Sequence, residues 1–176
     1  STTYTLDDIL KTKGGDPIEQ YIKLRELDGG MRPTMNMAEM GLGIYLPDEI
    51  KMHPYIQAIE LATASIGGLM NDLFSYENEV LVLNSRFNLV ALFQDYRDMT
   101  FEEAVHETVK VVNGYTSDFL RLEQNIPDFE DEHTYRMVSA YVNALRHQVN
   151  ATWHWQMSTN RYRSTKSPFP ELRQIM

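Results

Sequence analysis

Residues 66–79 read Ile66-Gly67-Gly68-Leu69-Met70-Asn71-Asp72-Leu73-Phe74-Ser75-Tyr76-Glu77-Asn78-Glu79. Asn71, Ser75 and Glu79 stand at i, i+4 and i+8. Each step of four drifts only about 40° around an α-helix, so the three project from one face. Leu69, Met70, Leu73, Phe74 and Tyr76 surround that stripe and make the segment apolar on nearly all sides. Such a helix is central to its fold, and its polar stripe must meet something. Glycine inside a helix costs roughly 1 kcal/mol against alanine. The pair Gly67-Gly68 therefore calls either for room for a ligand or for the close packing of a neighbouring helix.

Outward from this segment the periodicity stays helical, and no clean period-2 run with hairpin signals appears. His53-Pro54 opens the central helix, which is predicted to run to about Leu83. Before it, Asp16-Pro17 pairs an N-cap with proline at the first helical position, for a helix that reaches Asp28 and stops at Gly29-Gly30. A short helix from Pro33 carries Met35, Met37 and Met40 and fades at Gly41–Gly43; with Met31 it forms a methionine-rich stretch suited to adaptable packing. Leu46-Pro47-Asp48-Glu49 is a turn and a fresh start. After the central helix come a short amphipathic piece near Asn88–Asp95, a helix capped by Thr100 with Glu103 as its capping box, and, beyond Pro127, a long helix from about Glu130 to Met157. Residues 1–15 read as a leader with a helical turn at Leu6–Lys11, and 163–176 as a loose tail. The expectation is one all-α unit over residues 1–176.

Sixteen Lys+Arg against 25 Asp+Glu give a net charge of −9, which argues against a general nucleic-acid binder. There is no cysteine, so disulfide scaffolds, thiolate metal sites and cysteine nucleophiles are excluded. No apolar run reaches membrane-spanning length and no secretory signal opens the chain, which reads as a soluble, cytoplasmic protein. His147 and His154 share one helix without a third spaced ligand and read as structural or exposed. The amide carbonyl, hydroxyl and carboxylate of Asn71, Ser75 and Glu79 are all oxygen donors. They suit a hard cation such as Mg²⁺, and their single negative charge leaves it able to attract a diphosphate.

Asn71-Asp72-x-x-Ser75-x-x-x-Glu79 resembles the second metal motif of class I terpene synthases. That family places a diphosphate-sensing arginine 46 positions before the motif's Asn, and here that position is Arg25. It is followed by a linker residue, often Asp, and a small effector residue, often Gly; Asp28 and Gly29 hold those places. Its last long helix ends with a Trp and an Arg-Tyr pair, as in Trp153-His154-Trp155 and Arg161-Tyr162. The stretch Ile44–Glu49 followed by His53-Pro54 further resembles fungal sesquiterpene synthases. Asn78 stands where many relatives carry a basic residue.

The resemblance implies the C-terminal portion of an α-helical barrel around an apolar cavity. It implies a lyase that ionises and cyclises an isoprenoid diphosphate, with farnesyl diphosphate as the expected substrate. Asn71, Ser75 and Glu79 would chelate one of three Mg²⁺ ions. Arg25, Arg161 and Tyr162 would grip the diphosphate, and Asp28 and Gly29 would couple that grip to ionisation. Phe74 and Trp155 are the cavity candidates, able to stabilise a migrating cation. No redox cofactor is implied. The family's aspartate-rich first motif is missing: Asp7-Asp8-Ile9-Leu10-Lys11 ends in lysine, and Asp128–Glu132 lies on the wrong side of the chain and reads as an acidic first helical turn. The chain thus matches only the C-terminal half of the family's fold, and it is expected to be completed by a missing N-terminal half or by a homodimer. Half a barrel would leave its cavity wall in water as an apolar patch. The alternative is a non-catalytic helical protein or interaction module derived from the same fold.

Overall fold

The computed structural model describes residues 15–129, 131–164 and 167–173. The expected turn at 6–11, the Asp7-Asp8 pair and Glu130 lie outside the described residues. Among the described residues every regular element is helical: α1 Pro17–Asp28, α2 Met31–Leu42, α3 Asp48–Lys51, α4 Pro54–Tyr76, α5 Leu89–Arg97, α6 Phe101–Gln124 and α7 Glu132–Ser158. A π-helical segment, Glu77–Val82, extends α4, and two 3₁₀ turns, Asn160–Tyr162 and Pro170–Leu172, follow α7.

Local chemistry sets most boundaries. Asp16 Oδ1 accepts from Ile18 N at 3.2 Å, and His53 Nδ1 accepts from Tyr55 N at 3.2 Å, each with proline next in sequence. The Thr100–Glu103 capping box is formed in both directions. α2 starts at Met31, two residues before the expected Pro33, because Gly30 takes a left-handed conformation (φ +72°) and turns the chain there. Pro33 then falls in the first turn, where its missing N–H costs no helical bond. α7 starts at Glu132, because Asp131 is its cap: Oδ1 accepts from Thr134 N at 2.9 Å.

α4 is the axis of the molecule. Residues Ala62 to Met70 are all buried, and α4 packs most extensively on α6, then on α1 and α7. Its N-terminal half joins Ile56 and Ile59 to Leu46, Val138, Tyr141 and Leu145 in one core cluster. Its C-terminal half joins Leu69 and Met70 to Tyr21, Leu89, Val90, Leu92 and Ala104 in a second. The methionine stretch divides: Met31 and Met35 are core, whereas Met37 and Met40 are exposed. His147 and His154 are exposed. The tail expected to be loose packs through its described residues, because Phe169 and the buried Leu172 add apolar surface to the second cluster.

The two glycines of α4 serve different neighbours. Gly68 meets α1 backbone to backbone: a Cβ on Gly29 would lie 2.9 Å from Arg25 O and 3.0 Å from Gly68 Cα. Gly67 faces the flexible end of Met31. The close helix approach is therefore what Gly68 supplies, while Gly67 also borders the cleft described below.

Alanine at Gly29 and at Gly114 of α6 should separate close packing from plain helix propensity. Gly29→Ala is expected to lower stability by about 1–3 kcal/mol, because backbone on both sides leaves no room to relax. Gly114→Ala, at an exposed mid-helix site with nothing within 4 Å of its Cβ, should raise stability by about 0.5–1 kcal/mol. Urea midpoints of the two variants check both signs.

Candidate functional site

The site is built around Asp72, whose side chain is wholly buried on α4. A buried carboxylate needs charge and hydrogen bonds to replace water. Asp72 receives three: Arg25 Nε donates to Oδ1 at 2.8 Å, and the Tyr21 hydroxyl and the Leu89 main-chain N–H each donate to Oδ2 at 2.8 Å. Tyr21 and Arg25 are one helical turn apart on α1, which is why both reach the same acid. α1, α4 and the start of α5 are thereby tied at one carboxylate.

Arg25 has donors to spare. Its Nη2 donates to Asn71 Oδ1 at 3.0 Å, and Nη1 lies 3.8 Å from the largely exposed Asp28 carboxylate. Asn71 Nδ2 in turn donates to the Tyr162 hydroxyl at 2.7 Å. Residues 25, 71 and 162 thus converge on one amide. Arg161 is exposed and rests its guanidinium 5.6 Å from the Tyr162 ring centre. Burial pulls the Arg25 proton affinity down, but the negative charges of Asp72 and Glu79 act against it and the net shift is upward. Burial and the Asp72 charge push the Tyr21 hydroxyl far above the phenol range. Burial also lifts Asp72 from 3.8 to about 6 against the pull of Arg25, Leu89 N–H and Tyr21, so it is ionised at neutral pH.

Ser75 is buried, and its hydroxyl donates to the Asn71 carbonyl at 2.8 Å, so its lone pairs remain available as acceptors. Glu79 lies in the π-helical segment, where bonds of i→i+5 type widen the turn beyond four residues. The α-helix expected to reach Leu83 would carry Glu79 about 80° from Asn71 over two steps. The wider turn acts against that drift. Glu79 Oε2 accepts from Asn88 Nδ2 at 3.1 Å. The donor set is three oxygens with one formal negative charge, which fits a hard divalent cation. Asn71 Oδ1 accepts from Arg25 and keeps a second lone pair for a cation. Among the described residues no cluster of three or more His, Cys, Asp or Glu side chains forms a separate metal cage.

Beside this network lies a cleft of about 520 Å³, bordered by Arg25, Gly29, Asn71, Trp155, Arg161 and Tyr162. Its far wall is Thr34 from α2 with Gln148, Thr152 and Gln156 from α7, so the expected apolar wall carries amides and hydroxyls as well. Trp155 borders the cleft and is half exposed. Phe74 does not border it. Phe74 lines an apolar pocket with Leu73, Val109 and Trp153, and a smaller one with Arg161 and Tyr162, because residue 74 is about 60° from Asn71 around the helix. The sequence reading gave no role to Tyr21, Asp72 or Asn88. Asp72 was in view within the motif, and a lone acid on an otherwise apolar helix is the signal that marks it.

Residues 12–118 match the family model described as terpene synthase family 2, C-terminal metal binding. A sesquiterpene synthase of Cyclocybe aegerita is 29% identical over 145 residues, which are 82% of this chain and 40% of that protein. The alpha-muurolene synthase of Coprinopsis cinerea is 29% identical over 145 residues, 82% of this chain and 34% of that protein. Among solved structures, the linalool/nerolidol synthase from Streptomyces clavuligerus, in complex with 2-fluorogeranyl diphosphate, superposes with a TM-score of 0.73 at 22% identity; the match covers 86% of this chain and 52% of that one. The chain therefore spans about half the length, or less, of the proteins it matches.

The Asp72 carboxyl has a pH signature. Its folded pKa, about 6, exceeds its ordinary 3.8. The folded state thus holds this proton more tightly than the unfolded chain, and the group's contribution to stability falls as pH rises between those two values. The stability difference between the unsubstituted chain and Asp72→Asn should accordingly shrink from pH 4 to pH 6 and level off above pH 7. Urea unfolding across that range measures it; a difference that grows with pH would contradict the upward shift.

Proposed function

The chain belongs to terpene synthase family 2, in its C-terminal metal-binding region, and on that premise we propose that it carries the metal-binding and diphosphate-sensing part of a sesquiterpene synthase acting on farnesyl diphosphate. One observation carries this reading: three segments far apart in sequence bring Arg25, Asn71 and Tyr162 to one amide beside a cleft. Relatives named as sesquiterpene synthases support the fifteen-carbon substrate.

Asn71, Ser75 and Glu79 would hold Mg²⁺, one of three ions in the complete site. When bound, the metal supplies Lewis-acid charge that favours departure of the diphosphate. Arg25, Arg161 and Tyr162 donate hydrogen bonds to the diphosphate oxygens and stabilise the charge that develops on them. The allylic C–O bond breaks, its electron pair leaves with the diphosphate, and a carbocation remains. Arg25 is the residue that registers diphosphate, because engaging an anion draws its Nη2 away from Asn71 Oδ1. Asp28, 3.8 Å from Arg25, and the adjoining Gly29, which borders the cleft, would then pass that movement on, with the Gly29 carbonyl turned to the cation. Trp155 offers its ring face to the same cation. Cyclisation ends when the cation loses a proton to the released diphosphate or solvent, giving an alkene, or adds water and then loses a proton in the same way, giving an alcohol.

A second reading is a helical protein that keeps the site without catalysis. Gas chromatography–mass spectrometry after incubation with farnesyl diphosphate and Mg²⁺ separates the two. The catalytic reading expects a cyclic hydrocarbon or alcohol that disappears with a chelator and falls on the order of 100-fold in Glu79→Ala. Product that survives the chelator refutes the metal role; no product at all marks these residues as an incomplete or non-catalytic piece and refutes the catalytic reading for them alone.

A further inference from the structure

Asn88 belongs to none of the segments that pointed to the site, yet it is wholly buried and all of its side-chain polar groups are used. Its Oδ1 accepts from Val90 N at 3.1 Å and caps α5. Its Nδ2 donates to the Asp72 main-chain carbonyl at 2.7 Å and to Glu79 Oε2 at 3.1 Å. The two ends of the amide are not interchangeable. An amide nitrogen cannot accept from Val90 N–H, and an amide oxygen cannot donate to a carbonyl or a carboxylate. Helix capping therefore fixes which end faces Glu79.

That matters because of where Glu79 stands. Its flexible side chain rises from a π-helical turn, and ordering such a side chain costs conformational entropy. A donor rooted on both a helix cap and the α4 backbone removes that freedom before any ligand arrives. We propose that Asn88 is a positioning residue that holds the Glu79 carboxylate in place with Asn71 and Ser75 so that their oxygens act as one divalent-cation site. It also ties that site to the start of α5, whose next residue, Leu89, donates to Asp72. The proposal rests on the metal reading of Asn71, Ser75 and Glu79.

Mn²⁺ binding to this chain, followed by the electron paramagnetic resonance signal of free Mn²⁺, tests it without catalysis. Asn88→Ser keeps a good N-cap but cannot reach Glu79. Asn88→Asp keeps the cap acceptor and the reach but replaces the donor with a like charge. Both should weaken Mn²⁺ binding 10-fold or more, in the range seen when groups supporting a metal ligand are removed. Leu145→Ala, in the other core cluster, should lower the melting temperature with Mn²⁺ affinity unchanged. Affinity within twofold of the unsubstituted chain in a folded Asn88→Ser overturns the proposal, as does an equal loss in Leu145→Ala. Absence of Mn²⁺ binding by the unsubstituted chain overturns the metal reading and the proposal together, and so is told apart from failure of the Asn88 role alone.

Discussion

The buried pair between Arg25 and Asp72 is the constraint on which the rest of the structure depends. Two charges removed from water are costly, and they persist only when geometry and further hydrogen bonds replace hydration. Here the carboxylate has a guanidinium and a phenol from α1 and a backbone N–H from α5, all at 2.8 Å. The orientation of α1 on α4 and the entry of α5 are therefore set by one acid. The same pairing points the remaining guanidinium nitrogens at Asn71, on the wall of the cleft. A structural ion pair thus aims the group read as the diphosphate sensor.

The pair requires α1 and α4 to come unusually close. Gly29 and Gly68 make that possible by placing backbone against backbone where side chains would hold the helices apart. Arg25 is one turn before Gly29, and Asn71 and Asp72 follow shortly after Gly68, so the contact brings the two functional groups together as a consequence of packing. The glycines are a cost in helix propensity that the tertiary contact offsets.

The change from α-helix to π-helix after Tyr76 belongs to the same design. Widened turns of this kind recur at functional sites because they re-aim a side chain without ending the helix. The extended carboxylate is then steadied by Asn88, which is simultaneously the cap of the next helix. Local folding of α5 and the arrangement of the oxygen stripe are coupled through a single amide.

Much of this was legible in the residue order. Helix starts at Asp16-Pro17, His53-Pro54 and Thr100–Glu103 depend on neighbours within a few positions, and the centrality of α4 follows from an apolar composition that no surface helix sustains. The family resemblance rested on spacing within segments and on one offset between them. What stayed hidden was decided across segments: that Asp72 is the acid Arg25 pairs with, that Tyr21 and Asn88 join it, that Phe74 faces another pocket, and that Phe169 and Leu172 pack on the core. Periodicity is a one-dimensional property and assigns a residue to a face of its own helix. Which partner meets that face, and whether the turn widens on the way, is decided by the balance of burial, charge and close backbone contact that exists only once the helices are assembled.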